Sequence, residues 1–305
     1  MKHTLVIISL ALTSGFLLAE DKKEPQVAPV TEQLRKDFKL AQSYKKALIL
    51  NTFPIVSSDK VRDEAFYESA WIINSMLKNR PDILRELGKN RVRLAIMAWD
   101  ERTADVPEHS DLKPHAYWNR RARGLGPTPH RPCVSCGEEN LLNFPGDPYD
   151  DENILVHEFA HAVHDMALKT LDPTFDKRLK QTYESAKKKG LWKGKYAMQN
   201  HHEYWAEATQ SWFWNNREND HDHNHVNTRE ELVAYDPDIA KLCAEIYGKN
   251  TWRYRRSDDL TRQNHKHLKD INRAKLPTFQ WTKKEQKAYD AHQKAEQEKA
   301  KPANK

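Results

Sequence analysis

One pair of histidines, spaced by a single helical turn inside an apolar segment, constrains this chain more than any other feature. The run Ile154-Leu155-Val156-His157-Glu158-Phe159-Ala160-His161-Ala162-Val163 contains the pattern HExxH. At about 3.6 residues per turn, positions four apart stand one above the other on one helix face. The apolar flanks bury that face. Two imidazoles and a carboxylate buried together need compensation, because unpaired buried charge is costly. One Zn2+ with both imidazole nitrogens at about 2.0–2.1 Å supplies it. Glu158 then lies beside the ligands, placed to act on a zinc-bound water rather than to bind the metal. The competing reading is a core helix whose polar groups find protein partners alone.

A catalytic zinc takes a third protein ligand and keeps one position open. A histidine six residues past His161, as in the longer metzincin pattern, is absent because position 167 is Ala. A glutamate from a later helix is the other option. The segment Tyr196-Ala197-Met198-Gln199-Asn200-His201-His202-Glu203-Tyr204-Trp205-Ala206-Glu207 provides two, one turn apart. One would bind the metal while the other accepts a hydrogen bond from a ligand imidazole. Asp165, one turn after His161, is a candidate for orienting it.

The sequence HEFAHAVHD resembles the active-site helix of the gluzincins, thermolysin included. The block from Tyr196 to Glu207 resembles the second half of the zincin domain of anthrax lethal factor and its relatives. In that family a Tyr stands seven residues before an ExxxE pair. The resemblance implies Glu203 as third zinc ligand, Glu207 as its outer partner and Tyr196 as hydrogen-bond donor to a developing oxyanion. It covers residues 45–215 loosely and the two site helices sharply. His201 and His202 beside the ligand depart from it, and residues 216–260 have no counterpart in it. The implied fold is an α+β zincin-like metallopeptidase domain, mostly helical with a small mixed sheet. The implied activity is zinc-dependent hydrolysis of a polypeptide substrate, with Glu158 as general base. Zinc-water chemistry also serves glycan amides and esters, and a non-catalytic zinc-binding module has the same ligands. Both remain open alternatives.

The chain of 305 residues suits one large domain, and nine Trp, eleven Tyr and nine Phe can build its core despite 31% charged residues. The net charge of +6 comes partly from a Lys-rich end and reads as solvated surface, with no nucleic-acid motif. Lys2 and His3 precede an apolar run over residues 5–18, and the chain turns charged at Glu20. Residues 1–19 therefore read as a signal peptide, and the protein as secreted or periplasmic with no stable membrane insertion after its removal. Residues 20–32 read as a linker, 33–275 as the catalytic domain and 276–305 as a charged tail. Cys133, Cys136 and Cys243 then suggest a structural disulfide.

Coarse spacing predicts helices over 33–47, 63–78, from Pro81, 152–168, 174–189, 200–214 and from Pro237 to Gly248. It predicts strands over 48–56, with Pro54 at an edge or bulge, and over 92–98. A short strand is expected within 139–144, and 137–144 is a candidate edge for an extended substrate. Thr228 and Glu231 fit a capping box. His164 reads as a packing residue, the run His221, His223 and His225 as a polar loop, and Trp205, Trp212 and Trp214 as core. His225 and Arg229 are further candidate oxyanion donors.

Overall fold

The computed structural model describes residues 25–263 and 266–300. The expected signal peptide lies outside them. Among the described residues, six strands form one mixed sheet in the order β1-β2-β3-β4-β6-β5. They are β1 (Ala28–Pro29), β2 (Lys46–Leu50), β3 (Phe53–Ser57), β4 (Arg93–Met97), β5 (Gly124–Leu125) and β6 (Cys133–Gly137). The apolar run over 48–56 is a hairpin rather than one strand. Leu50 pairs with Phe53 around Asn51, whose φ of 57° an Asn tolerates at little cost. Pro54 lies in an interior strand. The parallel ladder to β4 begins at Ile55, so the missing N–H of Pro54 falls outside it.

Strands β3, β4 and β6 are parallel and buried on both faces. Alternation divides their side chains between two layers. Leu94, Ile96, Val134 and Cys136 enter the larger core beneath the helices. Ala95, Met97 and Cys133 enter a smaller one closed by Leu34 and Phe38 of α1 (Glu32–Phe38). This alternation overturns the expected disulfide. Cys133 and Cys136 are three apart on one strand, so their thiols point to opposite faces, and all three cysteines are free and buried.

Helices α2 (Asp63–Met76) and α3 (Pro81–Lys89) connect β3 to β4. Then come α4 (His115–Arg121) and α5 (Glu138–Leu141). The expected strand over 139–144 is not formed there. The strand ends at Gly137, and Glu138, Glu139 and Asn140 turn inward as a buried helical turn. The edge nearest the HExxH helix is therefore β5, not residues 137–144. That helix, α6 (Ile154–Ala162), continues as a π-helical turn over Val163–Leu168 and ends in α7 (Lys169–Leu171). Helices α8 (Phe175–Lys188), α9 (His201–Trp212), α10 (Arg229–Tyr235) and α11 (Pro237–Tyr247) complete an α+β architecture. Thr228 and Glu231 cap α10 reciprocally. No helix among the described residues is long and apolar enough to cross a membrane.

Both expected chain extremes carry structure. Ala28 and Pro29 pair with β2 within the predicted linker. In the predicted tail, Phe279 is buried and α12 (Lys283–Ala300) docks on α4, with Tyr289 stacked on Tyr117 at 5.6 Å.

Arg123 ties these parts together. It is fully buried, makes a two-pronged pair with Glu139 at 2.6 and 2.9 Å, and lies over the Phe279 ring. It also donates to the carbonyls of Ala98 and Glu101 and to Met97 Sδ. Removing one partner of such a pair strands the other charge. Arg123→Met is expected to cost about 3–5 kcal/mol in urea unfolding, and adding Glu139→Leu to recover part of it. An unchanged unfolding midpoint in the single variant would contradict this account.

Candidate metal centre

Helix α6 begins where its sequence allows an exact start. Asn153 caps it by accepting from Leu155 N, and Asn140 Oδ1 accepts from Ile154 N at 2.8 Å. Asn215 adds two bonds to Asn153 from the far side. With its entry held by three asparagines, α6 presents His157 and His161 toward α9. Asn200 caps α9 by accepting from His202 N and Glu203 N, which aims Glu203 back at α6.

Three ligand-type atoms converge there. His157 Nε2 lies 3.1 Å from Glu203 Oε2 and 3.2 Å from His161 Nε2, and His161 Nε2 lies 3.4 Å from Glu203 Oε2. These are the edges expected of a tetrahedron, about 3.3 Å, around a metal bound at about 2.0–2.1 Å. His157, His161 and Glu203 accordingly form a group able to hold a metal ion.

The protonation of His157 follows from a second layer that the motif does not reveal. Gln210 Nε2 donates to Glu152 Oε2 at 2.6 Å, which turns its Oε1 toward His157 Nδ1 at 2.7 Å. The network thereby fixes a proton on Nδ1 and leaves Nε2 as the atom that meets Glu203. Facing a carboxylate at 3.1 Å, that nitrogen needs positive charge beside it, a proton when no metal is bound or a metal ion in its place. Burial disfavours a charged His157, but Glu203, Glu158 and Glu207 outweigh it and hold its pKa above the ordinary imidazole range. The pocket is thus built for positive charge, and the donors present fit a divalent metal.

Glu207, expected to take the ligand imidazole, stands 3.5 Å from His157 Nδ1 and yields the closer contact to Gln210. Its Oε2 is held by Asn216 at 3.1 Å and by His223 at 3.3 Å. His223 in turn bonds Asp220 at 2.8 Å. Within the run of three histidines, then, only His223 reaches the site's support. His221 is exposed, and His225 packs edge-on to Tyr235. Gln210 had a signal in the sequence: Glu203, Glu207 and Gln210 follow helical spacing on one face of α9.

Glu158 lies beside the ligands, and burial pushes its carboxyl above the usual range despite His157 and His161. The Tyr196 ring stands 6.2 Å from the His157 ring. Burial, then the Glu203 carboxylate, hold its phenol protonated, and its hydroxyl interacts with Arg121 of α4. Arg121 escaped the sequence reading because α4 has no motif. Asp165 is not placed to orient His161. The π-helical turn swings it toward α9, where its carboxylate meets His202 Nδ1 at 3.1 Å and Lys169. Arg229 bonds the carbonyls of Trp212 and Asn250 and lies over the Trp212 ring, so neither it nor His225 joins the centre.

Two glycines let the sheet edge approach. A Cβ at Gly124 would lie 3.2 Å from Glu158 Cγ and 2.9 Å from Ser135 O, and one at Gly126 would lie 2.8 Å from His161 Cβ. At Gly126 no side chain fits against α6, and at Gly124 one would press on Glu158 and on the β6 backbone.

No family model matches the chain, and no curated protein matches it. Among solved structures, a Pro-Pro endopeptidase (PPEP-2) from Paenibacillus alvei is similar over 63% of this chain and 97% of its own, at 17% identity and a TM-score of 0.42. A likeness of that degree carries no weight for function, which rests on the site itself.

Gln210→Leu should weaken metal binding about 10–100-fold, the usual effect of losing an outer partner of a ligand histidine. Competition against a chromophoric chelator measures it, and affinity equal to the unsubstituted protein would remove Gln210 from this role.

Proposed function

We propose that the protein is a zinc-dependent metallohydrolase that cleaves peptide bonds. The observation that carries the reading is the Glu152–Gln210–His157 chain, which fixes Nδ1 as donor and turns Nε2, the ligand atom, to Glu203 and His161. Zn2+ bound by His157, His161 and Glu203 supplies Lewis acidity toward a carbonyl and makes water a nucleophile near neutral pH.

The chain's own residues supply the rest. Glu158, buried and with a raised pKa, accepts the proton of the attacking water and returns it to the leaving amine. Tyr196, protonated and beside the ligands, donates a hydrogen bond to the oxygen that gains charge. The edge strand β5, brought against α6 by Gly124 and Gly126, has no strand on its outer side among the described residues and is the place where an extended polypeptide would pair. That edge favours a peptide over a glycan or ester.

Glu158→Gln is expected to retain metal and lose about 10²–10⁴-fold in turnover. Tyr196→Phe is expected to lower kcat by about 10²–10³-fold at unchanged metal content. A chelator-sensitive peptide-library digest reads both. Full turnover by Glu158→Gln would sink the mechanism, and glycan or ester turnover without proteolysis would redirect the substrate class.

Export is part of the same proposal, resting on the apolar run over residues 5–18 and the charged turn at Glu20. Expression in a secreting host should yield a mature chain beginning at Glu20 by N-terminal sequencing. A chain retaining residues 1–19 would argue against it.

A further inference from the structure

A second group of histidines stands on the same pair of helices, one turn beyond the first. His164 lies on the π-helical turn after α6, and His201 and His202 form the first turn of α9. One nitrogen from each lies within 4.8 Å of the others. Asp176, from the first turn of α8, points Oδ1 at His164 Nε2 at 3.1 Å and at His201 Nε2 at 3.2 Å. The two contacts to Asp176 are as short as those among His157, His161 and Glu203, while the three imidazoles form the metal-ligand group. Nothing in the proposed hydrolysis uses these four residues.

The tautomers of His164 supply an independent observation. Its side chain is fully buried, and Nδ1 has no hydrogen-bond partner among the described residues. If Nε2 carries the proton and donates to Asp176, the buried Nδ1 lone pair finds no donor. If Nδ1 carries it, that N–H faces Asp165 Oδ1 at 3.9 Å, beyond hydrogen-bond reach, and the Nε2 lone pair opposes a carboxylate. Either form leaves a buried polar atom unsatisfied, at about 1–3 kcal/mol. A cation between Nε2 and Oδ1 removes the opposition of lone pair and carboxylate in the second form, with the Nδ1 N–H left facing Asp165 Oδ1.

The outer contacts suit such a site. Asp165 engages His202 Nδ1 at 3.1 Å, leaving Nε2 of that ring as its free donor atom. Lys180 holds the other oxygen of Asp176 at 2.8 Å, and Lys169 the other oxygen of Asp165 at 2.8 Å. His201, His202 and Asp176 are partly exposed, giving a cation access from solvent. Imidazole-rich sets with one carboxylate suit zinc and neighbouring first-row divalent metals.

We infer that His164, His201, His202 and Asp176 form a second metal site, which pins α8, the π-helical turn and the start of α9 beside Glu203. The inference is independent of hydrolysis, so its failure is distinct from the failure of the functional reading.

Zinc per chain is measured by plasma mass spectrometry on the full chain after dialysis against micromolar zinc. The expected result is two zinc ions in the unsubstituted protein, one in Glu203→Ala and one in the His201→Ala/His202→Ala double variant. Asp176→Asn, remote in sequence from Glu203, is expected to weaken the same second zinc. One zinc that is lost in Glu203→Ala and kept in the double variant would overturn the second site and leave the first standing. One zinc with the opposite pattern would support the second site and overturn the first, and no zinc at all would overturn both. Cobalt titration of Glu203→Ala does not depend on the double variant folding. Visible d–d absorption saturating at one equivalent is expected, and no such absorption overturns the site.

Discussion

A single buried indole sets the distance between the two helices that carry the chemistry. Trp205 is fully buried on α9, and its Nε1 donates to Ala160 O of α6 at 3.0 Å. A buried N–H without an acceptor costs about 1–3 kcal/mol, so the helices cannot separate or slide without losing that bond. Phe175 packs edge-on against one side of the ring and Tyr247 stacks on it, which brings α8 and α11 to the same point. Glu203 and both imidazoles meet because this contact fixes α9 against α6. The same contact places His201 and His202 over the π-helical turn.

Polar networks hold the site from the opposite direction. Glu152 is buried before α6, pairs with Arg217 at 3.2 Å and aligns the Gln210 amide. Glu207 connects to His223 and Asp220 in the same loop. The segment over residues 216–225 thus supports the ligands from behind without touching a metal. The bonds of Glu207 and His223 make the loop part of the centre's rigidity, while Asn216 Oδ1 and, beyond its ion pair with Glu152, Arg217 Nε find no hydrogen-bond partner among the described residues.

The sheet serves the site through its edge. Parallel strands buried on both faces give β6 a fixed position, and β5 follows by antiparallel pairing at Gly124 and Leu125. Glycines then let β5 lie directly against α6. On the same side of the fold, Arg123 binds the start of β5 to Glu139 and Phe279, so the C-terminal segment braces the edge.

The local pattern determined what local chemistry can determine. HExxH in an apolar helix named His157, Glu158 and His161, because helical spacing and burial cost are properties of neighbouring residues. Capping rules placed α10 and α11, and the two-helix resemblance pointed to Glu203 and Tyr196. Tertiary structure decided the rest, since it depends on which distant segments meet. It set Gln210, not Glu207, closest to His157, and turned Asp165 away through a π-helical turn that hydrophobic periodicity does not show. It put Cys133 and Cys136 on opposite faces of a strand hidden in a Pro- and Gly-rich stretch. His164, Asp176, His201 and His202 come from three separate elements, and only the packing of α8 and α9 on the π-helical turn makes them neighbours.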